Sequence, residues 1–240
     1  MPGGGTVLMQ KVFDIRTARS AVVSGQFSSF EHICDLPDVP VLSETLLLMD
    51  LVVRNRVVDL TRVARVILSD PGAALQVMRL AGREYAADGP MGRIEDCISG
   101  IGLQACLDAM SKRNITRSSR NQAVIHAWDH ARAIAEISGV IAEKMAPDGT
   151  REEAELVGLC HEIGSFAELL GWDWSGQSAN NDVAGLSIAE AWALPCCVVE
   201  YFSDRCSAKQ YSRWTTIVDR AHQIAGSSAA PMRASQIVFQ

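Results

Sequence analysis

Residues 154–170 read AELVGLCHEIGSFAELL. Leu156, Leu159, Ile163, Phe166 and Leu170 recur three or four positions apart, which is the stripe of a helix with one face in a core. The spacing predicts one continuous helix over Arg151–Leu170. Glu152, Glu153 and Glu155 fall in its first turns, where the helix dipole favours anions. Within the stripe His161 and Glu162 are adjacent, beside Cys160 and two residues before Gly164. An imidazole and a carboxylate carried toward a core need a hydrogen-bond partner or a metal. This stretch therefore poses the question of fold and the question of function together.

The same helical reading extends in both directions. Gln122–Met145 is one long periodic segment, closed by Pro147-Asp148-Gly149. Beyond residue 170 lies a polar loop, Gly171–Asn180, containing Trp172 and Trp174. Helices follow over Asp182–Trp192, stopped by Leu194-Pro195, and over Cys196–Cys206 and Tyr211–Ala225. Toward the N-terminus, Leu36-Pro37-Asp38-Val39-Pro40 is a turn opening an apolar helix that runs through Val52. Asp59 reads as the N-cap of Leu60–Leu68. Asp70-Pro71 opens another helix, with proline where a missing N–H costs nothing, and that helix is expected to loosen at Gly82. Residues 86–90 are a loop, and Ile94–Ile98 and Leu103–Met110 are short helices broken at Gly100-Ile101-Gly102. Gly-rich residues 1–11 are expected to lack regular structure, and a short helix is expected at Val12–Val23. No segment alternates with period two long enough for a strand, so the expected class is all-α, with a seam near 112–122 and no internal repeat.

The bulk composition removes several function classes. A chain of 240 residues that is 48% hydrophobic and 21% charged is an ordinary globular protein. No apolar run reaches the roughly 18 residues of a membrane span, and the start lacks the charged-then-apolar pattern of a secretion signal. Seven cysteines, an odd number without a CxxC pair, fit reduced thiols and a cytoplasmic location. A net charge of −6 argues against general nucleic-acid binding.

Several stretches resemble the HDOD family, a divergent, mostly regulatory branch of the HD phosphohydrolase superfamily found in bacterial signalling proteins. Leu36-Pro37-Asp38-Val39-Pro40 is similar to its L-P-x-L-P entry. Asp70 to Ala81 is similar to its D-P-x-L-x-x-x-L-L-R-L-A helix, and Ile94 to Gly102 to S-I-x-x-A-I-x-x-L-G. Trp128-Asp129-His130, the stretch Gly158-Leu159-Cys160-His161-Glu162-Ile163-Gly164-Ser165, Gly185 and Trp192-Ala193-Leu194-Pro195 continue the pattern in order. The resemblance implies a helical domain over residues 31–225, made of a part at 31–112 and an HD-like part at 122–225. An extension at 1–30 and a tail at 226–240 flank it.

The resemblance also implies a metal-ligand set: His130 as the first histidine, His161 and Glu162 as the pair, and His222 in place of the last aspartate, with Asp219 one turn earlier. Imidazole and carboxylate together suit Zn, Mn or Fe. Glu162 stands where the pattern has Asp, Ser165 where it has Lys, Asn181 where a further His is common, and Arg205-Cys206 where a His pair often stands. The alternative is that His130 and His161 are core residues bonded to each other, to Glu162 or to backbone. The basic run Lys112, Arg113, Arg117 and Arg120 is a candidate anion or partner site, against a solvated linker. Trp172 and Trp174 read as packing or as partner anchors, Cys196-Cys197 as structural thiols, and His32 and His126 as surface or packing residues.

These features imply a non-catalytic HDOD-type module, acting in bacterial signal transduction by contact with another signalling protein, without cofactor, nucleic acid or membrane. The alternative is a metal-dependent phosphohydrolase acting on a nucleotide or phosphodiester through His130, His161, Glu162 and His222.

Overall fold

A computed structural model describes residues 36–54, 58–85, 92–145, 151–172, 180–207 and 212–228. The expected N-terminal extension with its helix at Val12–Val23, the loop at 86–90, Trp174, His32 and the residues past Ser228 lie outside these. The described elements are β1 (Val41–Leu42), α1 (Ser43–Val53), α2 (Leu60–Leu68), α3 (Pro71–Tyr85), α4 (Ile94–Ile101) and α5 (Leu103–Ser111), then β2 (Asn114–Ile115) and a 3-10 turn (Ser119–Asn121). There follow α6 (Gln122–Met145), α7 (Arg151–Cys160), a 3-10 turn (Ile163–Ser165), α8 (Phe166–Leu169), α9 (Asn181–Ala191), α10 (Cys196–Cys206) and α11 (Arg213–Ser228). The class is all-α. Strand is confined, among the described residues, to β1 and β2, two residues each and parallel, with Val41 opposite Asn114 and Leu42 opposite Ile115. This pairing sits at the expected seam and ties it to the start of α1. No described helix is long and apolar enough to cross a membrane.

Local chemistry sets the helix starts. The Asp59 carboxylate accepts from the Thr61 and Arg62 N–H groups at 3.0 and 3.3 Å, capping α2. Asp70 caps α3 and does more. Its Oδ1 accepts from the N–H of Gly72 (2.8 Å) and Ala73 (3.3 Å) and from the Trp128 indole (3.0 Å), while its Oδ2 accepts from the Leu42 N–H at 2.7 Å. One buried carboxylate thus joins β1, α3 and α6. Further along α3, the Gln76 amide donates to the Val39 carbonyl at 3.0 Å and the Arg79 guanidinium to the Leu36 carbonyl at 2.7 Å, pinning the Leu36–Pro40 turn. Arg79 also lies 4.6 Å over the Trp192 ring.

Two expectations are corrected. Helix α3 does not loosen at Gly82 but continues to Tyr85. A Cβ at Gly82 would overlap the Trp192 carbonyl, so the glycine answers a close tertiary approach and not a helix end. The helix expected over Arg151–Leu170 ends at Cys160, and His161 and Glu162 form a turn before the 3-10 segment. The break at Gly102 between α4 and α5 is as expected, with φ +86°.

Buried side chains from both halves form one contiguous cluster, with Leu75 and Ile94 in the first and Trp128, Leu156 and Phe166 in the second. Trp128 stacks on Phe166 with centroids 4.8 Å apart. Helix α7 packs along α6, where Gly158 lets it approach the Ala135 backbone, and α11 packs against both.

Candidate metal centre

Three elements meet at one point. Helix α6 supplies His130, the turn after α7 supplies His161 and Glu162, and α11 supplies His222. One ligand atom from each histidine lies within 4.8 Å of the others. The ring centroids are 5.3 Å (His130–His161), 5.1 Å (His130–His222) and 4.8 Å (His161–His222) apart. Glu162 Oε1 is 3.8 Å from His130 Nε2 and 3.9 Å from His161 Nε2. All four residues of the expected ligand set therefore converge, and the Glu162 separations from His130 and His161 are too long for hydrogen bonds.

His161 is the buried member. Its Nδ1 donates to the Gly158 carbonyl at 2.7 Å, and this places the lone pair on Nε2. Nε2 is buried and has no hydrogen-bond partner. Of the bonded arrangements expected for core histidines, only the backbone one is realised here. Burial, and then the charges of His222, His130 and Arg205, push the His161 pKa down to about 3, so the ring is neutral at physiological pH. Burial also lowers His222, with His130 adding to the effect. Burial raises the Glu162 carboxyl, and His130 opposes that. A neutral imidazole whose other nitrogen donates to a backbone carbonyl is the usual state of a metal-bound histidine. The orphaned Nε2, two more imidazoles and a carboxylate fit a divalent transition metal.

The positions that depart from the family pattern surround this point. Arg205 Nε lies 3.2 Å from Asp182 Oδ1, and its Nη1 lies 3.8 Å from Asp219 Oδ1. Asp219 thus faces Arg205. Ser165 Oγ donates to the Glu162 carbonyl at 2.7 Å, in the place of the expected lysine. Asn181 begins α9, and its carbonyl closes against Gly164, where a Cβ would overlap it. Sequence reasoning missed Tyr201, which is buried on α10 one turn before Arg205; burial pushes its phenol up, and the charges of Arg205 and Glu162 both reach it. Its only sequence signal was the four-residue spacing to Arg205.

The remaining candidates do not join this cluster. Arg117 holds Asp129 through two bonds of 2.9 and 2.8 Å, and Arg113 donates to the Asp38 carbonyl at 3.3 Å. Lys112 and Arg120 are exposed. Trp172 is buried against Trp192, with centroids 6.0 Å apart. Cys197 is buried and Cys196 exposed, and burial raises the Cys197 thiol, as it does Cys160 to about 12. His126 is exposed, 3.2 Å from the Gln122 amide.

A family model of the HDOD domain matches residues 39–171, a span that holds His130, His161 and Glu162 and stops short of His222. Among solved structures, the MmoQ response regulator from Methylococcus capsulatus str. Bath is similar, at 20% identity over 85% of this chain and 94% of that one, with a TM-score of 0.61. A virulence factor from Campylobacter jejuni subsp. jejuni is similar at 16% identity over 84% and 81% of the two chains, with a TM-score of 0.54. Both likenesses concern the fold. No curated protein matches the chain.

Proposed function

The chain belongs to the HDOD domain family, and from that premise we propose that it is a regulatory module that acts by protein contact in bacterial signalling and does not hydrolyse phosphoesters. The observation that carries this reading is the donor set. Among the described residues Glu162 is the one carboxylate at the cluster, beside three imidazoles, and the nearby Asp219 is turned to Arg205. A two-metal hydrolytic centre needs carboxylates to hold and bridge two dications. Here a second dication would meet the Arg205 guanidinium instead of an acid.

The surface supports a contact role. Leu47 and Leu51 on α1 are 66% and 64% exposed, with Leu48 beside them. A groove of about 780 Å³ between α6 and α11 is lined by Ile137, Val140, Ile141, Met145 and Ile224. Apolar surface of this kind marks interaction sites on soluble domains.

The second reading, a metal-dependent phosphohydrolase, is favoured by the orphaned Nε2 of His161. A bound metal would lower the pKa of a water and supply a nucleophile. In that reading His130, His161 and His222 hold the ion, and Glu162 is a further ligand or proton acceptor. The test is to load the protein with Mn, Fe or Zn and offer phosphomonoesters, phosphodiesters and nucleotides. Turnover no greater than that of the free metal supports the regulatory reading. Turnover that disappears in a folded His130→Ala variant overturns it.

A further inference from the structure

We infer that the outward stripe of α1 is a docking seat for a helix of this same chain, residues 12–23, which lies antiparallel across Leu47, Leu48 and Leu51 with Arg19 against Glu44. Helix α1 is apolar on both its inner and its outer face. Thr45, Met49 and Val52 are buried, while Leu47, Leu48 and Leu51 are 66%, 48% and 64% exposed among the described residues. A helix that is apolar all round belongs inside a protein, so the outer face calls for a cover. Glu44, Leu47, Leu48 and Leu51 stand at i, i+3, i+4 and i+7, the spacing of a seam that receives another helix.

Pattern, charge and area together select the occupant. Val12, Ile15, Arg19 and Val22 also recur three, four and three apart, so a helix over Val12–Val23 carries a matching stripe. A helix this short is marginal alone in water and draws its stability from packing. On α1, Arg54 is engaged by Asp50, with Nη2 2.8 Å from Oδ2, and Glu44 stands half-exposed at the head of the stripe, 4.0 Å from Arg117 Nε. In the segment Arg16 and Arg19 outnumber Asp14. Setting Arg19 against Glu44 in an antiparallel pair sets Ile15 against Leu48 and Val12 against Leu51, because the steps along the two stripes are equal. The same direction leaves the end of the segment beside the start of α1. Residues 24–35, which span up to about 40 Å when extended, then return the chain to Leu36 with length to spare. Three partly exposed leucines make a patch of a few hundred Å2, against about 800 Å2 per partner in a standard interface between separate molecules. A second copy of α1 is therefore too small a cover. A tethered segment needs less area, because its effective concentration is on the order of millimolar.

The inference deepens the regulatory reading, since a partner that seeks α1 must first displace this segment, but its test needs no partner. In the full chain Leu51→p-benzoylphenylalanine is irradiated and the crosslinked peptides are identified by mass spectrometry. An equal mixture of ordinary and nitrogen-15 protein separates links within a chain from links between chains. The expected product is a link within one chain to the stretch between Met9 and Ile15. Val12→Asp/Ile15→Asp removes that link while the domain still unfolds cooperatively. Glu44→Arg lowers its yield by about two- to five-fold, and adding Arg19→Glu restores it. Links between chains, links to another region, no link, or a yield indifferent to Val12→Asp/Ile15→Asp or to Glu44→Arg each overturns the proposal. Phosphoester turnover by the metal-loaded protein overturns the regulatory reading and leaves this seat in place.

Discussion

Asp70 offers a quantitative test of how the two halves are joined. Its Oδ1 serves three donors, the N–H groups of Gly72 and Ala73 and the Trp128 indole, its Oδ2 serves the Leu42 N–H, and the Thr45 hydroxyl, which can turn to donate or accept, also bonds the carboxylate, with the residue fully buried. Asp70→Asn keeps the shape. The amide oxygen satisfies the three-donor side, and the NH2 must then face the Leu42 N–H, donor against donor. One buried donor is orphaned, which costs about 1–3 kcal/mol. Asp70→Ala orphans all of these N–H donors, the Gly72 and Ala73 groups of the α3 cap among them, at about 1–3 kcal/mol for each one left unpaired. With partial relaxation the total is about 4–5 kcal/mol, a large part of the stability of a typical domain. Urea unfolding followed by circular dichroism gives both values, read at unchanged m. The ordering is the test. If the Asn variant is as stable as the parent, or costs as much as Ala, the carboxylate does not divide its two oxygens as described. In a Trp128→Phe background the Asn and Ala costs should each change, because one donor is already gone, and strict additivity would also count against the network.

Four further outcomes are expected. In the metal-free protein His161 holds its pKa near 3 against an ordinary value of 6.5. The unfolded chain therefore takes up a proton that the folded one refuses, so stability falls as pH drops below about 6.5, by about 1.4 kcal/mol per unit, reaching roughly 3 kcal/mol at pH 4.5. A parent and a His161→Gln variant with parallel pH–stability curves would contradict this. Gly164→Ala forces a Cβ onto the Asn181 carbonyl and the Gly185 nitrogen, which are backbone atoms that cannot swing away, and should cost about 2–3 kcal/mol in thermal unfolding. Gly226→Ala, open on all sides within α11, should be neutral or stabilising by up to about 1 kcal/mol. Arg117→Ala breaks a partly exposed pair with Asp129 and should cost no more than about 1 kcal/mol, measured as the urea midpoint.

Most helix bounds were legible because their signals are local. Asp59 and Asp70-Pro71 announce α2 and α3, Gly102 announces the break between α4 and α5, and the period of Gln122–Met145 and Cys196–Cys206 gives α6 and α10 at their observed ends. Gly82 misled because a glycine inside a helical pattern has two readings, a loosened helix or a close contact. Only the approach of Trp192 decides between them. The convergence of His130, His161, Glu162 and His222 was legible through family resemblance, since no periodicity brings α11 to the end of α7. The positions of Asp219 against Arg205 and of Tyr201 beside them depend on how α10 and α11 pack, and nothing local encodes them.

The largest misreading and the most informative feature of the site have one cause. The apolar period continues past Cys160 through Ile163, Phe166 and Leu170, so the pattern predicts an unbroken helix, yet the chain turns at His161. The Gly158 carbonyl, which a continuing helix would pair with the N–H four residues on, accepts instead from the His161 Nδ1. That bond stands where α7 ends and holds the ring with its Nε2 on the side of His130 and His222. The two roles are separable. In His161→Asn the side-chain NH2 occupies about the place of Nδ1 and can still donate to the Gly158 carbonyl, but nothing replaces Nε2. We expect the Asn variant to be more stable than His161→Ala by about 1 kcal/mol, the net worth of one hydrogen bond, and to bind metal no better than Ala. If the two variants are equally stable, the Gly158 bond adds no net stability. If the Asn variant retains the parent's metal affinity, His161 is not a ligand.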